Sequence, residues 1–142
     1  MVACRTGTSR WTKVCAQGDV DTTSDKNEKE NINDLDERYE KMFMELHPVT
    51  YMWRNTDNGL IHDRLHCGLI SQEVNEAAEN NGLSMQSFGA IGKDELEELT
   101  PDGRSERWSL NYGEFHGLEI HMIQKALKKI EELEEKIKQL EK

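Results

Sequence analysis

The sequence predicts an α+β fold: a small mixed domain with a β-hairpin and helices, extended by one long C-terminal helix. Three observations predict it. Leu35, Tyr39, Met42, Phe43 and Leu46 fall on one face at helical spacing, the pattern of an amphipathic helix. Val49, Tyr51 and Trp53 alternate with Thr50, Met52 and Arg54, which is the period of a strand. From about Glu114 the chain contains no proline and repeats isoleucine at Ile123, Ile130 and Ile137, which suits a helix made to pair.

Composition narrows the class of function. A chain of 142 residues holds one domain with a modest core, or a smaller domain plus an extended element. Hydrophobic residues at 35% against 32% charged are lean for a compact globule and suit a long exposed helix. A net charge of -10 opposes tracking of nucleic-acid phosphates and docking on anionic lipid, so neither nucleic acid nor a membrane is expected as a partner. No run has the length of a membrane span, and the N-terminus lacks the apolar core of a signal peptide. Cys4, Cys15 and Cys67 are odd in number and not at metal-type spacing; they are expected as free thiols. No cofactor and no metal is expected.

In chain order, Trp11, Lys13 and Cys15 alternate with Thr12, Val14 and Ala16, a short strand before a Gly18-Asp19 turn. Residues 1–23 carry too little apolar area to fold alone, so they are expected to end a larger upstream element. A short strand is expected over Lys29 to Asn33, centred on Ile32. Asp34 with Glu37 reads as a capping box for the first helix, which Pro48 stops. The strand from Pro48 to Arg54 turns at Asp57-Asn58-Gly59 and pairs with a second strand at about His66 to Ile70. Ser71 caps a helix carrying Val74, Ala77 and Ala78, which ends at Asn81-Gly82. Residues 83–107 read as irregular, with a helical turn over Asp94 to Leu99 and a turn at Pro101-Asp102-Gly103. A strand resumes from Trp108 to Tyr112.

The last helix has one clear register. Ile123, Ile130 and Ile137 take the a positions, and Ala126, Leu133 and Leu140 take d. Lys129 then faces Glu134 of a neighbouring chain, and Lys136 faces Glu141, as in a parallel bundle. Isoleucine at a with leucine at d leans toward two strands; Leu127 at e widens the apolar face and favours more. The expected interface is Ile123, Leu127, Ile130, Leu133, Ile137 and Leu140.

Other candidate sites are weaker. His62 and His66 stand four apart beside Cys67 but fall in a hairpin, where that spacing does not make them converge on a metal. His116 and His121 are expected to be solvated or at an interface. Gly89-Ala90-Ile91-Gly92-Lys93 lacks the spacing and the hydroxyl residue of a phosphate loop. Tyr51, Trp53 and Trp108 read as core rather than a stacking platform. Asp94, Glu95, Glu97 and Glu98 read as a solvated acidic face rather than a catalytic carboxylate pair.

Four stretches stand in a telling order: Ser24-Asp25-x-x-x-Lys29-x-Asn31-Ile32, then Leu46-His47-Pro48-Val49-Thr50-Tyr51-Met52-Trp53, then Gly68-Leu69-Ile70-Ser71-Gln72-Glu73-Val74, then Leu110-Asn111-Tyr112 before the terminal helix. Together, over about residues 24–142, they resemble the intramolecular chaperone auto-processing domain, the endosialidase-type chaperone of phage tail spikes and fibres. Related domains occur in membrane-bound transcription factors like myelin regulatory factor. The chain departs from the usual pattern at Asn27-Glu28, where an Arg-Leu pair is common, at Ser71, usually Ala, and at His47 before the proline.

The resemblance implies a homotrimer, with the terminal helices forming a trimeric coiled coil. It divides the chain into the end of a β-rich shaft at 1–23, a chaperone and auto-processing domain at 24–113, and a trimerisation helix at 114–142. It implies a domain that helps the upstream shaft of its own chain to fold and then cuts itself off at a serine. This happens in the host cytoplasm during phage assembly, and the released piece is absent from the mature virion. Ser24 is the implied nucleophile and Lys29 the implied general base. Asp25 either orients them or caps a turn.

A serine hydroxyl is a weak nucleophile and needs a base. A lysine serves only if its pKa falls from about 10.4 toward ~7–8. At about 1.36 kcal/mol per unit, such a site must disfavour the charged amine by roughly 3–5 kcal/mol, which a packed interface can supply and a lone loop cannot. Attack by Ser24 within its own chain favours the Thr23–Ser24 bond, through a five-membered ring. Attack from a neighbouring chain also admits the Ser24–Asp25 bond. Since Lys29 lies five positions after Ser24, a helix would set the two on divergent faces. The stretch is therefore expected to be non-helical, or Lys29 to act on another chain. The alternative reading is a trimerisation cap that never cleaves.

Overall fold

The computed structural model describes residues 23–54, 64–100 and 102–141. The chain divides into two compact units, Met1–Asn33 and Asp34–Lys142. Trp11 to Ala16 and Asp57-Asn58-Gly59, with His62, lie outside the described residues.

The described part of the first unit is a single 3-10 turn, Lys26–Glu28, followed by extended backbone. The strand expected over Lys29 to Asn33 does not form. Asn31 sits in the left-handed region at φ 52°, which asparagine tolerates better than most residues, and this reverses the chain where a strand must run straight. Asn33 Nδ2 donates to the Asn31 carbonyl at 2.7 Å and closes the bend.

The second unit is α+β, as the sequence predicts, with three α-helices and two antiparallel hairpins among its described residues. Helix α1 spans Glu37–Glu45. Its cap is Asp36 rather than Asp34: the Asp36 carboxylate accepts from the Arg38 N–H at 2.9 Å and from the Arg38 guanidinium. Strands β1 (Val49–Tyr51) and β2 (His66–Gly68) pair with Val49 opposite Gly68 and Tyr51 opposite His66. Helix α2, Ser71–Asn80, starts on Ile70 without a side-chain cap, so Ser71 is its first residue and not its cap. It ends in a Schellman motif. Leu83 N–H donates to the Ala78 carbonyl at 2.9 Å and Gly82 N–H to the Glu79 carbonyl at 3.0 Å, which needs the φ of +70° that Gly82 supplies.

Residues 83–107 are more regular than expected. Ile91–Glu95 is a strand, β3, and it pairs with β4, Glu106–Leu110. The expected helical turn from Asp94 is absent because Asp94 and Glu95 belong to this ladder. Cross-strand contacts compensate for a poor strand sequence: Lys93 Nζ lies 2.6 Å from the Glu106 carboxylate and 4.9 Å from the centre of the Trp108 ring. Beyond a 3-10 turn at Tyr112–Glu114, helix α3 runs from Phe115 to Leu140, 26 residues or about 39 Å.

One core lies where α1, α2, β3 and the start of α3 meet. Met42, Val74, Ala77, Ala78, Leu83, Phe88, Ala90, Ile91, Phe115 and Leu118 are buried in it. Leu35, Tyr39, Phe43, Leu46, Leu69, Trp108, Leu110 and Met122 pack around them, so the predicted faces of α1 and α2 turn inward. Phe88 bridges Tyr39 and Phe115 edge to face, at 6.4 and 5.1 Å between ring centres. Trp53 does not join. It is exposed and stands edge-on to Tyr51, which stacks on His66; together they cover the β1–β2 hairpin.

Candidate functional site

The Ser24–Lys29 stretch is built by its aspartate. Asp25, in extended backbone, caps the 3-10 turn: its carboxylate accepts from the Asn27 N–H at 2.8 Å and from Asn27 Nδ2 at 3.0 Å. Its carbonyl accepts from Glu28 N–H at 3.1 Å, and Lys29 N–H donates to the Lys26 carbonyl at 3.2 Å. Lys29 then leaves in extended backbone. One tight turn between two extended residues folds position 29 back toward position 24, where a longer helix would have carried it away. Lys29 Nζ donates to Ser24 Oγ at 2.6 Å.

That distance is within reach for a nucleophile and its base, and both residues come from one chain. Both side chains are exposed in the single chain. As an ammonium, Lys29 can only donate to the hydroxyl; to take the serine proton it must be neutral, and desolvation is what favours the neutral amine. The carboxylate of Asp25 is occupied by Asn27, in the capping geometry. Within the Asn27-Glu28 pair, Asn27 thus has a local use, because it holds that cap.

The proposed pairing face of α3 is open. Ile123, Leu127, Ile130, Leu133, Ile137 and Leu140 are all about half exposed or more, while Phe115, Leu118 and Met122 of the same helix face the core. Near the start of α3 the sequence reading missed two connections. Tyr112 Oη accepts from Leu69 N–H at 2.9 Å and donates to the Leu69 carbonyl at 3.4 Å. This joins the Leu110-Asn111-Tyr112 and Gly68-Leu69 motifs, and a Cβ at Gly68 would lie 2.5 Å from that hydroxyl and displace it. Glu40 of α1 accepts from Lys125 and meets His121 Nε2 at 3.0 Å; these partners hold its carboxyl below the usual range, Lys125 foremost. His121 is therefore part of an intrachain clasp rather than merely solvated. Residues so far apart in sequence give no local signal of either contact.

The remaining candidates stay apart. His66 stacks on Tyr51, and Cys67 is an exposed free thiol. His116 lies exposed beside Glu119. Among the described residues no group of three or more histidines, cysteines and carboxylates could hold a metal ion, and no helix is long and apolar enough to cross a membrane.

A family model described as the chaperone of endosialidase matches residues 24–83, a segment that begins on Ser24 itself. Among curated proteins, none matches the chain. Several solved structures share its fold, two of them as follows. One is a crystal structure of a novel intramolecular chaperone, 21% identical, with a TM-score of 0.58 over 75% of this chain and 99% of that one. The other is the carboxy-terminal domain of the bacteriophage T5 L-shaped tail fibre with its intramolecular chaperone domain. It is 21% identical, with a TM-score of 0.63 over 89% of this chain and 35% of that one; the present chain thus spans about a third of it. At this identity the likeness is one of fold. Residues 24–83 thus match the model of the chaperone of endosialidase, on a fold similar to those of the two intramolecular chaperone structures.

Proposed function

We propose that the chain is the intramolecular chaperone of a phage tail fibre or spike. It assembles as a homotrimer through α3, supports folding of the shaft that precedes residue 24, and then severs itself beside Ser24. The observation that carries this reading is the 2.6 Å contact from Lys29 Nζ to Ser24 Oγ at the start of the matched segment. The family name, which is that of a peptidase, and the fold shared with a tail-fibre chaperone support it. The working division is 24–113 as the chaperone and 114–142 as the trimerisation helix, with cleavage and release during assembly in the host cytoplasm and the released piece absent from the virion.

In the proposed reaction neutral Lys29 takes the Ser24 hydroxyl proton as Oγ attacks the adjacent carbonyl carbon. The tetrahedral adduct collapses, the C–N bond breaks, and the proton passes from Lys29 to the departing amine. The resulting ester is hydrolysed by water, whose proton returns through Lys29. Attack on the Thr23 carbonyl leaves Ser24 as the new N-terminus; attack by a neighbouring copy on the Ser24 carbonyl leaves Asp25. Because both side chains are exposed in one chain, the desolvation that frees the amine is assigned to assembly. That same exposure favours the second reading, a trimerisation cap that does not cleave.

A denaturing gel with intact-mass analysis separates the two. Wild type should yield a fragment beginning at Ser24 or Asp25, while Ser24→Ala and Lys29→Ala stay whole. Wild type that stays whole although trimeric by light scattering would establish the cap instead.

A further inference from the structure

The register of α3 specifies more than a seam between helices. With Ile123, Ile130 and Ile137 at a, the g positions are Met122, Lys129 and Lys136, and the e positions are Leu127, Glu134 and Glu141. In a parallel bundle each g residue faces the neighbour's e residue of the following heptad. That offset matches Lys129 with Glu134 and Lys136 with Glu141, opposite charges both times. The same offset matches Met122 with Leu127, an apolar pair.

Those two residues differ in their surroundings. Leu127 is exposed, as is Ile120 one heptad earlier on the same edge. Met122 is half-buried and forms one wall of an open groove of about 420 Å³ between α1 and α3. The α1 wall carries Met44, 75% exposed, an apolar side chain left in water beside a second methionine. Around the two methionines its rim is polar: Glu37, Glu40, Lys41, Glu45, Asn81 and Lys125.

We propose that Leu127 of one copy seats in the α1–α3 groove of the next, against Met122 and Met44, so that the globular part of each copy grips its neighbour's helix. The inference rests on the trimer reading above. The occupant is a second copy because one register satisfies both the charged pairs farther along α3 and the apolar pair at the groove, making the groove continuous with the proposed seam. Methionine suits a wall that must close on a foreign side chain, being unbranched and adaptable.

The test uses the full chain with Ser24→Ala, to keep it whole, and serine at Cys4, Cys15 and Cys67. Met44→Cys with Leu127→Cys is treated with a short bis-maleimide and run on a denaturing gel, beside Ile137→Cys alone. Since each copy offers one groove and one plug, the double variant should give covalent dimers and trimers. Ile137→Cys, with one thiol per copy, should stop at dimers. Linked Ile137→Cys beside a double variant confined to the monomer band overturns the groove and leaves the trimer standing. If neither links and light scattering gives a monomer, the trimer reading falls and takes the groove with it.

Discussion

The first three turns of α3 are fastened to their own chain; the rest of the helix is not. Phe115 and Leu118 are buried, Met122 packs on the core, and His121 and Lys125 reach Glu40 on α1. Beyond Lys125 the apolar residues Leu127, Ile130, Leu133, Ile137 and Leu140 are about half exposed or more. The ion pairs there, Lys129 with Glu132 and Lys138 with Glu135, are local surface contacts of small worth. The same helix thus stabilises the fold through one face of its first turns and carries an uncovered apolar stripe from Ile123 to Leu140, which is the face open to the proposed partner copies. The Ser24–Lys29 contact is likewise exposed, and the chemistry proposed for it also needs covering.

The comparison is broken most severely by placing a charge in the stripe. Ile130→Glu should reduce the assembly to a monomer by light scattering, since each copy forgoes roughly 1.5–3 kcal/mol of burial; circular dichroism should still report a folded domain. Met42→Ala attacks the other region. It empties a fully buried core site and should cost about 2–5 kcal/mol in a denaturant titration, whatever the protein concentration. Tyr112→Phe removes the bridge to Leu69 and should cost about 0.5–1.5 kcal/mol, read as a lower Tm with the oligomer intact.

The smallest effect is one of pH. The folded carboxyls of Glu40, Asp36 and Glu106 are held below their ordinary values, by Lys125, Arg38 and Lys93 first in each case. A depressed carboxyl adds stability that is complete above its unfolded pKa and is lost as pH falls through the folded one. Stability should therefore drop as pH falls below about 4.5, the ordinary glutamate value. Glu40→Gln should lower stability at neutral pH and flatten that acid limb in a pH series of melts.

How far the sequence foretold this structure depended on where the signal lay. The faces of α1 and α2 were legible because burial repeats at helical spacing; the apolar stripe of α3 was legible by the same spacing, with its residues exposed in the single chain. Strand β3 was not, since only Ile91 of Ile91–Glu95 is buried and its order comes from Lys93 meeting Trp108 and Glu106 across the ladder. The cap of α1 fell on Asp36 rather than Asp34, because either aspartate can cap and tertiary packing sets the start. Ser24 and Lys29 were legible as residues. The resemblance paired them but left open whether they meet within one chain; that they do depends on the 3-10 turn that Asp25 and Asn27 hold together.

The central claim joins the two regions: Ser24 is cut only when α3 is covered. The direct measurement is a time course of intact mass for wild type and Ile130→Glu, with light scattering on the same samples. The account predicts that trimeric wild type yields the fragment while folded, monomeric Ile130→Glu stays whole. A monomer that cuts beside Ser24 at the wild-type rate would contradict it.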